Sequence, residues 1–97
     1  MIKGGTVYIL TNKSNKVLYI GVTADIIARL YEHRNKVFPQ SFSSRYNLNK
    51  LVYYENYYSI EEAIQREKYL KGKLRSYKLD LINSKNPNWL DLSAEVI

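Results

Sequence analysis

The sequence predicts a single α+β domain, and three observations lead to that class. Two short runs rich in β-branched and aromatic residues are joined by a polar turn, a third such run follows residue 49, and helical periodicity follows the second and third runs. At 97 residues the chain is long enough for one modest core and too short for two, so a single domain spans residues 1–97 and any active site shares its core.

The first two strands are "TVYILT" (Thr6 to Thr11) and "KVLYIGV" (Lys16 to Val22), and "NKSN" between them turns the chain into a hairpin. Setting Thr11 across from Lys16 places Tyr8 directly opposite Tyr19 on the same face. Gly21 ends the second strand, and Thr23 or Asp25 caps a helix over residues 25–35. On it Ile26 and Leu30 stand four residues apart, and Arg29 and His33 repeat that spacing one row over. Residues 36–49 are Ser/Asn-rich and broken by Pro39, which predicts a loop without helical periodicity carrying Lys36 and Arg45. "KLVYYENY" (Lys50 to Tyr57) is the third strand, with Leu51 and Tyr53 expected on one face and Val52 and Tyr54 on the other. Ser59 and Glu62 form a capping box, and Tyr58 is expected to staple onto Ala63. The stripe Ile60, Ala63, Ile64, Leu70, Leu74 then places Glu67 in the middle of an apolar face. After Gly72 a shorter helix turns Tyr77, Leu81 and Ile82 inward and stops at "NPNW". Trp89 and Leu90 are expected to fold back as a lid, and residues 91–97 to fray.

Composition narrows the function. No apolar run approaches the ~20 residues of a membrane helix, so the expected partners exclude the membrane. The start "MIKGGTVYILTN" has no apolar run of signal-peptide length, which predicts a cytoplasmic protein that keeps its N-terminus. The absence of cysteine excludes disulfides, iron-sulfur clusters and thiolate zinc sites. Fifteen Lys and Arg against nine Asp and Glu give a net charge of +6, on a chain with ten tyrosines. That pairing suits nucleic acid, because cations release phosphate counterions and phenols offer flat faces and hydroxyls to a strand.

Read in order, the chain resembles the GIY-YIG nuclease superfamily, and within it the small single-domain bacterial members of uncharacterised endonuclease type. The resemblance is carried by "TVYIL", by "YIG" with its tyrosine eleven residues after Tyr8, and by "TADIIARLYEH" with Arg29 and His33 ten and fourteen residues beyond Tyr19. "REKYLKGKLRSYKLDLI" and "NPNWLDL" complete it. It implies a three-stranded antiparallel sheet flanked by helices, and hydrolysis of DNA phosphodiester bonds dependent on one divalent metal ion, magnesium or manganese. It further implies that Glu67 binds the metal, Tyr8 and Tyr19 assist the attacking water, Arg29 contacts the scissile phosphate, and His33 takes part in proton transfer or phosphate contact. The family's late asparagine falls on Asn86, with Asn83 one helical turn earlier as the other choice. The chain departs from the pattern in having Thr-Val-Tyr for Gly-Ile-Tyr, and Val22 where some relatives carry lysine.

The chemistry of these side chains agrees with the implied roles. Magnesium accepts few protein oxygens and keeps waters and phosphate oxygens, so one Glu67 is a sensible ligand count. Arg29 is planar and always charged, and imidazole exchanges protons near its intrinsic pKa of ~6.5. A phenol of pKa ~10 acts as a base only with the metal and Arg29 beside it, and Tyr8 otherwise orients the water. Each residue also has a plain structural reading: Tyr8 and Tyr19 as core aromatics, Arg29 paired with Asp25, and Glu67 paired with Lys71. Lys50, Lys68, Lys71, Lys73, Arg75 and Lys78 form a solvated basic face whose functional reading is DNA contact, and Arg45 is a further expected DNA contact.

The expected function is therefore a metal-dependent endonuclease, structure- rather than sequence-selective, acting on DNA that is branched or nicked, as a monomer or weak dimer without a small-molecule cofactor. The rivals are a catalytically inactive nucleic-acid-binding module on the same fold, and an interaction domain for an acidic partner.

Overall fold

Residues 4–96 are described by a computed structural model. The elements run β1 (Gly5–Thr11), β2 (Leu18–Thr23), α1 (Ile26–Arg34), α2 (Phe42–Arg45), β3 (Lys50–Tyr57), α3 (Ile60–Lys71), α4 (Arg75–Lys85) and α5 (Ser93–Val96). The strands form one antiparallel sheet in the order β2-β1-β3, so β1 is central, and all seven of its residues are buried. On one face Val7, Ile9, Ile20, Val52 and Tyr53 pack against Ala63 and Leu70 of α3 and Ile82 of α4. On the other, Tyr8, Leu10 and Leu51 pack against Leu30 of α1 and Leu48, with Leu92 and Val96 closing the edge. The expected α+β class and three-stranded antiparallel sheet are both present.

The hairpin register differs from expectation. Thr11 pairs with Leu18, not Lys16, and Tyr8 stands opposite Gly21, not Tyr19. Asn12 is the cause: its side-chain oxygen accepts from the amides of Lys16 at 2.9 Å and Val17 at 3.3 Å, gathering both into the loop. Asn15 completes the turn in the left-handed region at φ 62°. A slip of two residues keeps every side chain on its own face, so Tyr8 and Tyr19 still share one.

β3 departs from strict alternation. Ile9 pairs with Tyr53 and Leu10 with Leu51, which leaves Val52 as the extra residue of a bulge. Val52 and Tyr53 therefore both face α3 and α4, and Leu51 and Tyr54 face α1.

Asp25 caps α1 by accepting from the Ala28 amide at 3.0 Å, a contact whose loss typically costs about 1 kcal/mol. The loop expected over 36–49 contains α2, capped by Ser41 Oγ on the Ser44 amide at 3.3 Å. A helix of four residues is too short to display a 3.6-residue period. Ser59 caps α3 through the Glu62 amide at 3.2 Å, while its hydroxyl donates to Glu62 Oε1 at 3.0 Å. The Tyr58 staple is absent, because Tyr58 is 81% exposed while Ala63 is fully buried. Leu74 also leaves the stripe: α3 stops at Gly72 and Leu74 is exposed at the start of α4.

A polar network fixes α3 to β3. Arg66 donates through Nε and Nη2 to the two oxygens of Glu55 at 3.0 and 3.1 Å, and the Tyr53 and Tyr57 hydroxyls donate to the same carboxylate. Burial pushes the Glu55 carboxyl upward, but hydrogen bonds from Arg66, Tyr53 and Tyr57 prevail and hold it below the ordinary carboxylate range.

The segment after α4 is ordered by β3 and does not fray. The Leu92 amide donates to Leu51 O at 2.7 Å, and Asp91 accepts from the Leu51 amide at 3.3 Å and from Arg34 at 2.8 Å. Trp89 packs on the core as expected, with Nε1 donating to Asn83 Oδ1 at 2.7 Å. Leu90 is 61% exposed and forms no lid, since the left-handed turn at Trp89, φ 52°, sends it outward. Ile97 lies outside the described residues.

Candidate active site

Three rings meet on the α1 face of the sheet. Tyr8 comes from β1, Tyr19 from β2 and His33 from α1, with centroid separations of 6.1 Å for the two tyrosines, 5.8 Å for Tyr8–His33 and 5.7 Å for Tyr19–His33. The Tyr8 hydroxyl lies 3.1 Å from His33 Nε2, and His33 Nδ1 lies 2.6 Å from Ser43 Oγ. Gly21 makes room for this group. A Cβ there would stand 2.4 Å from the Tyr8 hydroxyl oxygen and 2.9 Å from the Tyr19 ring. No described glycine has positive φ, so Gly21 is required for space rather than for backbone freedom.

Burial sets the electrostatics. Burial first, and then the Tyr19 phenol, push the Tyr8 pKa well above the ordinary phenol value, and Arg29 offsets only part of this. For His33, burial and then Arg29 lower the pKa while Glu32 raises it, and the net shift is downward. Both groups are held neutral at pH 7.

A cleft of about 300 Å³ opens over the cluster, with Tyr19, Arg29, Glu32, His33, Phe38 and Phe42 in its wall. Tyr8 is fully buried and is not part of that wall. Arg29 pairs with Glu32 at 3.0 Å, one turn ahead, and not with Asp25, whose carboxylate is engaged as the helix cap. Phe42 stacks on Tyr19 at 6.3 Å, and Tyr46 lies against Phe42 at 4.7 Å. Sequence reasoning missed Glu32, Phe42 and Ser43. The Ser41–Ser44 cap spacing in "SFSSR" is the one local signal that marks where α2 brings the last two in. A larger groove of about 1160 Å³ on the outer side of α1 is lined by Ile27, Tyr31 and Tyr58, and shares only Glu32 with the cleft.

Glu67 is not among the residues in the wall of this cleft. It lies on α3, which packs along β1 and β2, and its side chain is 15% exposed and paired with Lys71 Nζ at 3.2 Å. Among the described residues no hydrogen bond or ion pair joins it to Tyr8, Tyr19, Arg29 or His33. Among them, too, no group of three His, Asp or Glu side chains is placed to cage a metal. A single carboxylate fits magnesium or manganese held mainly by water and substrate oxygens, and does not fit a metal that needs a full protein cage.

Asn86 is 4% exposed, and its amide is occupied. Nδ2 donates to Val52 O at 3.1 Å and Leu90 O at 2.9 Å, while Oδ1 accepts from the Leu90 amide at 3.0 Å. Asn83, the other choice, accepts from Trp89. In the basic face Lys71 is paired with Glu67, Lys73 Nζ sits 4.6 Å from the Tyr69 ring centre, and Arg75 donates to Lys16 O at 2.7 Å. Lys68 and Arg45 are exposed, and Lys78 is half-buried.

The GIY-YIG catalytic domain family matches residues 4–80. A UPF0213 protein of Syntrophus aciditrophicus is 37% identical over 81 residues, covering 84% of this chain and 91% of its own. A UPF0213 protein of Clostridium perfringens is 39% identical over 80 residues, covering 82% and 84%. No solved structure gives a significant match.

Proposed function

The chain belongs to the GIY-YIG catalytic domain family, a nuclease superfamily, and from that membership we propose that it is an endonuclease hydrolysing DNA phosphodiester bonds at the Tyr19–Arg29–His33 cleft. The observation that carries the reading is the chain's one histidine, in the cleft wall, hydrogen-bonded to the buried Tyr8 hydroxyl with Arg29 beside it.

Each side chain has a task that its surroundings support. Arg29 reaches the scissile phosphate by exchanging Glu32 for it, and its planar donors match the charge that develops on phosphorus. Tyr19 and His33 face the cleft and orient the attacking water. Tyr8, buried and protonated, touches no substrate; it holds His33 in place through Nε2. Glu67 is the side chain that would hold a magnesium or manganese ion, releasing Lys71 to do so. Such an ion supplies Lewis-acid polarisation of the phosphate and acidifies bound water. Arg45, Lys68 and Lys78 are assigned to the DNA backbone, which favours selection by strand structure over base sequence because phosphate contacts carry no sequence information.

The test is cleavage of supercoiled plasmid and of short branched and nicked DNA with Mg²⁺ or Mn²⁺, comparing the native protein with Glu67→Ala and Arg29→Ala. Loss of cleavage in both variants and with chelator is the expected result. Native protein that binds DNA with steep salt dependence but never cuts it would instead identify a binding module on the same fold.

A further inference from the structure

Ser43 carries an inference that the family motifs do not contain. It is 3% exposed at the start of α2, and its Oγ lies 2.6 Å from His33 Nδ1 and 3.3 Å from Ser41 Oγ. The other ring nitrogen of His33 faces Tyr8 at 3.1 Å. A neutral imidazole has one N–H donor and one lone-pair acceptor, so only two proton arrangements are available.

In the first, Nδ1–H donates to Ser43, the Ser43 hydroxyl donates to Ser41 Oγ, and the Tyr8 hydroxyl donates to Nε2. In the second every arrow reverses, Nε2–H points at the Tyr8 oxygen, and the buried Tyr8 proton must find an acceptor elsewhere. Burial of Tyr8 decides between them: among the described residues its hydroxyl has His33 Nε2 as its one hydrogen-bond partner, so the buried O–H is satisfied only by donating there. Ser41 closes the chain, since its Oγ already accepts the Ser44 amide as the cap of α2 and has a second lone pair for Ser43.

We infer that Ser43 is a positioning residue: by accepting from Nδ1–H it holds His33 in the tautomer whose Nε2 lone pair takes the Tyr8 hydroxyl. The tautomer stands on the hydrogen-bond geometry alone; its consequence for catalysis rests on the endonuclease reading. Hydrogen-bond partners that orient a metal-bound imidazole typically contribute about 10- to 100-fold, and the same scale is taken for His33. Ser43→Ala is therefore expected to lower kcat by about that factor with little change in KM for DNA, and Ser43→Thr to restore it.

His33 is the only histidine in the chain, so ¹⁵N NMR of the imidazole nitrogens reads the tautomer without ambiguity. At pH 7.5 the native protein should show Nδ1 as the protonated nitrogen and Nε2 as the unprotonated one. Ser43→Ala should mix the two forms, and Ser43→Thr should return the native pattern. A native spectrum with the proton on Nε2 overturns the inference and needs no variant to fold. An Ala spectrum identical to the native one overturns it as well. Native protein that shows the expected tautomer yet cleaves no DNA counts against the endonuclease reading and leaves the Ser43 assignment standing.

Discussion

Gly21 and Tyr8 are cross-strand partners, and the phenol of Tyr8 occupies the space that a side chain on Gly21 would need, with 2.4 Å between the hydroxyl oxygen and a Cβ built there. Gly21→Ala must therefore push Tyr8 from its seat and break its bond to His33. Overpacking of this kind typically costs about 1–3 kcal/mol. Gly72→Ala is the control: it sits at φ −80° with its nearest neighbour at 3.6 Å, and is expected to leave stability unchanged or slightly raised. Thermal denaturation of the two variants side by side checks the contrast.

The lowered pKa of His33 has a direction in stability. Burial and then Arg29 disfavour imidazolium in the folded protein, opposed by Glu32, and the Tyr8 and Tyr19 rings pack against it without adding charge. The unfolded chain therefore binds this proton first, and stability falls as the pH drops below about 6.5 toward the lower folded-state value. Above that range His33 is neutral in both states and contributes no slope. Urea titrations between pH 7.5 and 5 should show the decline, and His33→Gln should flatten it.

Arg29 is held by Glu32 in a half-exposed pair worth at most about 1 kcal/mol to the fold. The same carboxylate competes with phosphate for the guanidinium. Glu32→Gln is expected to change stability little and to tighten DNA binding several-fold at low salt. Fluorescence anisotropy across a salt series measures both the gain and its screening.

Asn86 and Glu67 should separate cleanly. Asn86→Ala removes three hydrogen bonds from a buried site and leaves backbone carbonyls without donors, an expected loss of about 2–3 kcal/mol. Glu67→Ala breaks one pair with an exposed lysine and should cost far less stability. Below the melting temperature of both, cleavage should persist in Asn86→Ala and vanish in Glu67→Ala; equal losses would return Asn86 to the chemistry.

The sequence showed most of what periodicity and caps can show. β3, α1 and the start of α3 lie where the β-branched and aromatic run, Asp25 and the Ser59–Glu62 pair place them. The meeting of Tyr8, Tyr19, Arg29 and His33 was legible because a two-residue slip of register preserves the face of every side chain. The register itself was not, since it depends on how the Asn12 side chain folds the loop back on itself. Nor was the bulge at Val52, which no residue type announces. Ser43 was invisible because it reaches His33 from a helix shorter than two turns.

β3 lies at the margin of the sheet, and its outward groups near the bulge are taken up by the segment that follows α4: the Leu51 amide by Asp91, the Leu51 carbonyl by Leu92, and the Val52 carbonyl by Asn86. Those groups would otherwise be an open template for another strand, the usual route from a folded monomer to edge-to-edge aggregates. The same short segment that closes the core is thus a sheath for the sheet's vulnerable side. A chain cut after Lys85 is expected to scatter light increasingly with concentration while the intact chain does not.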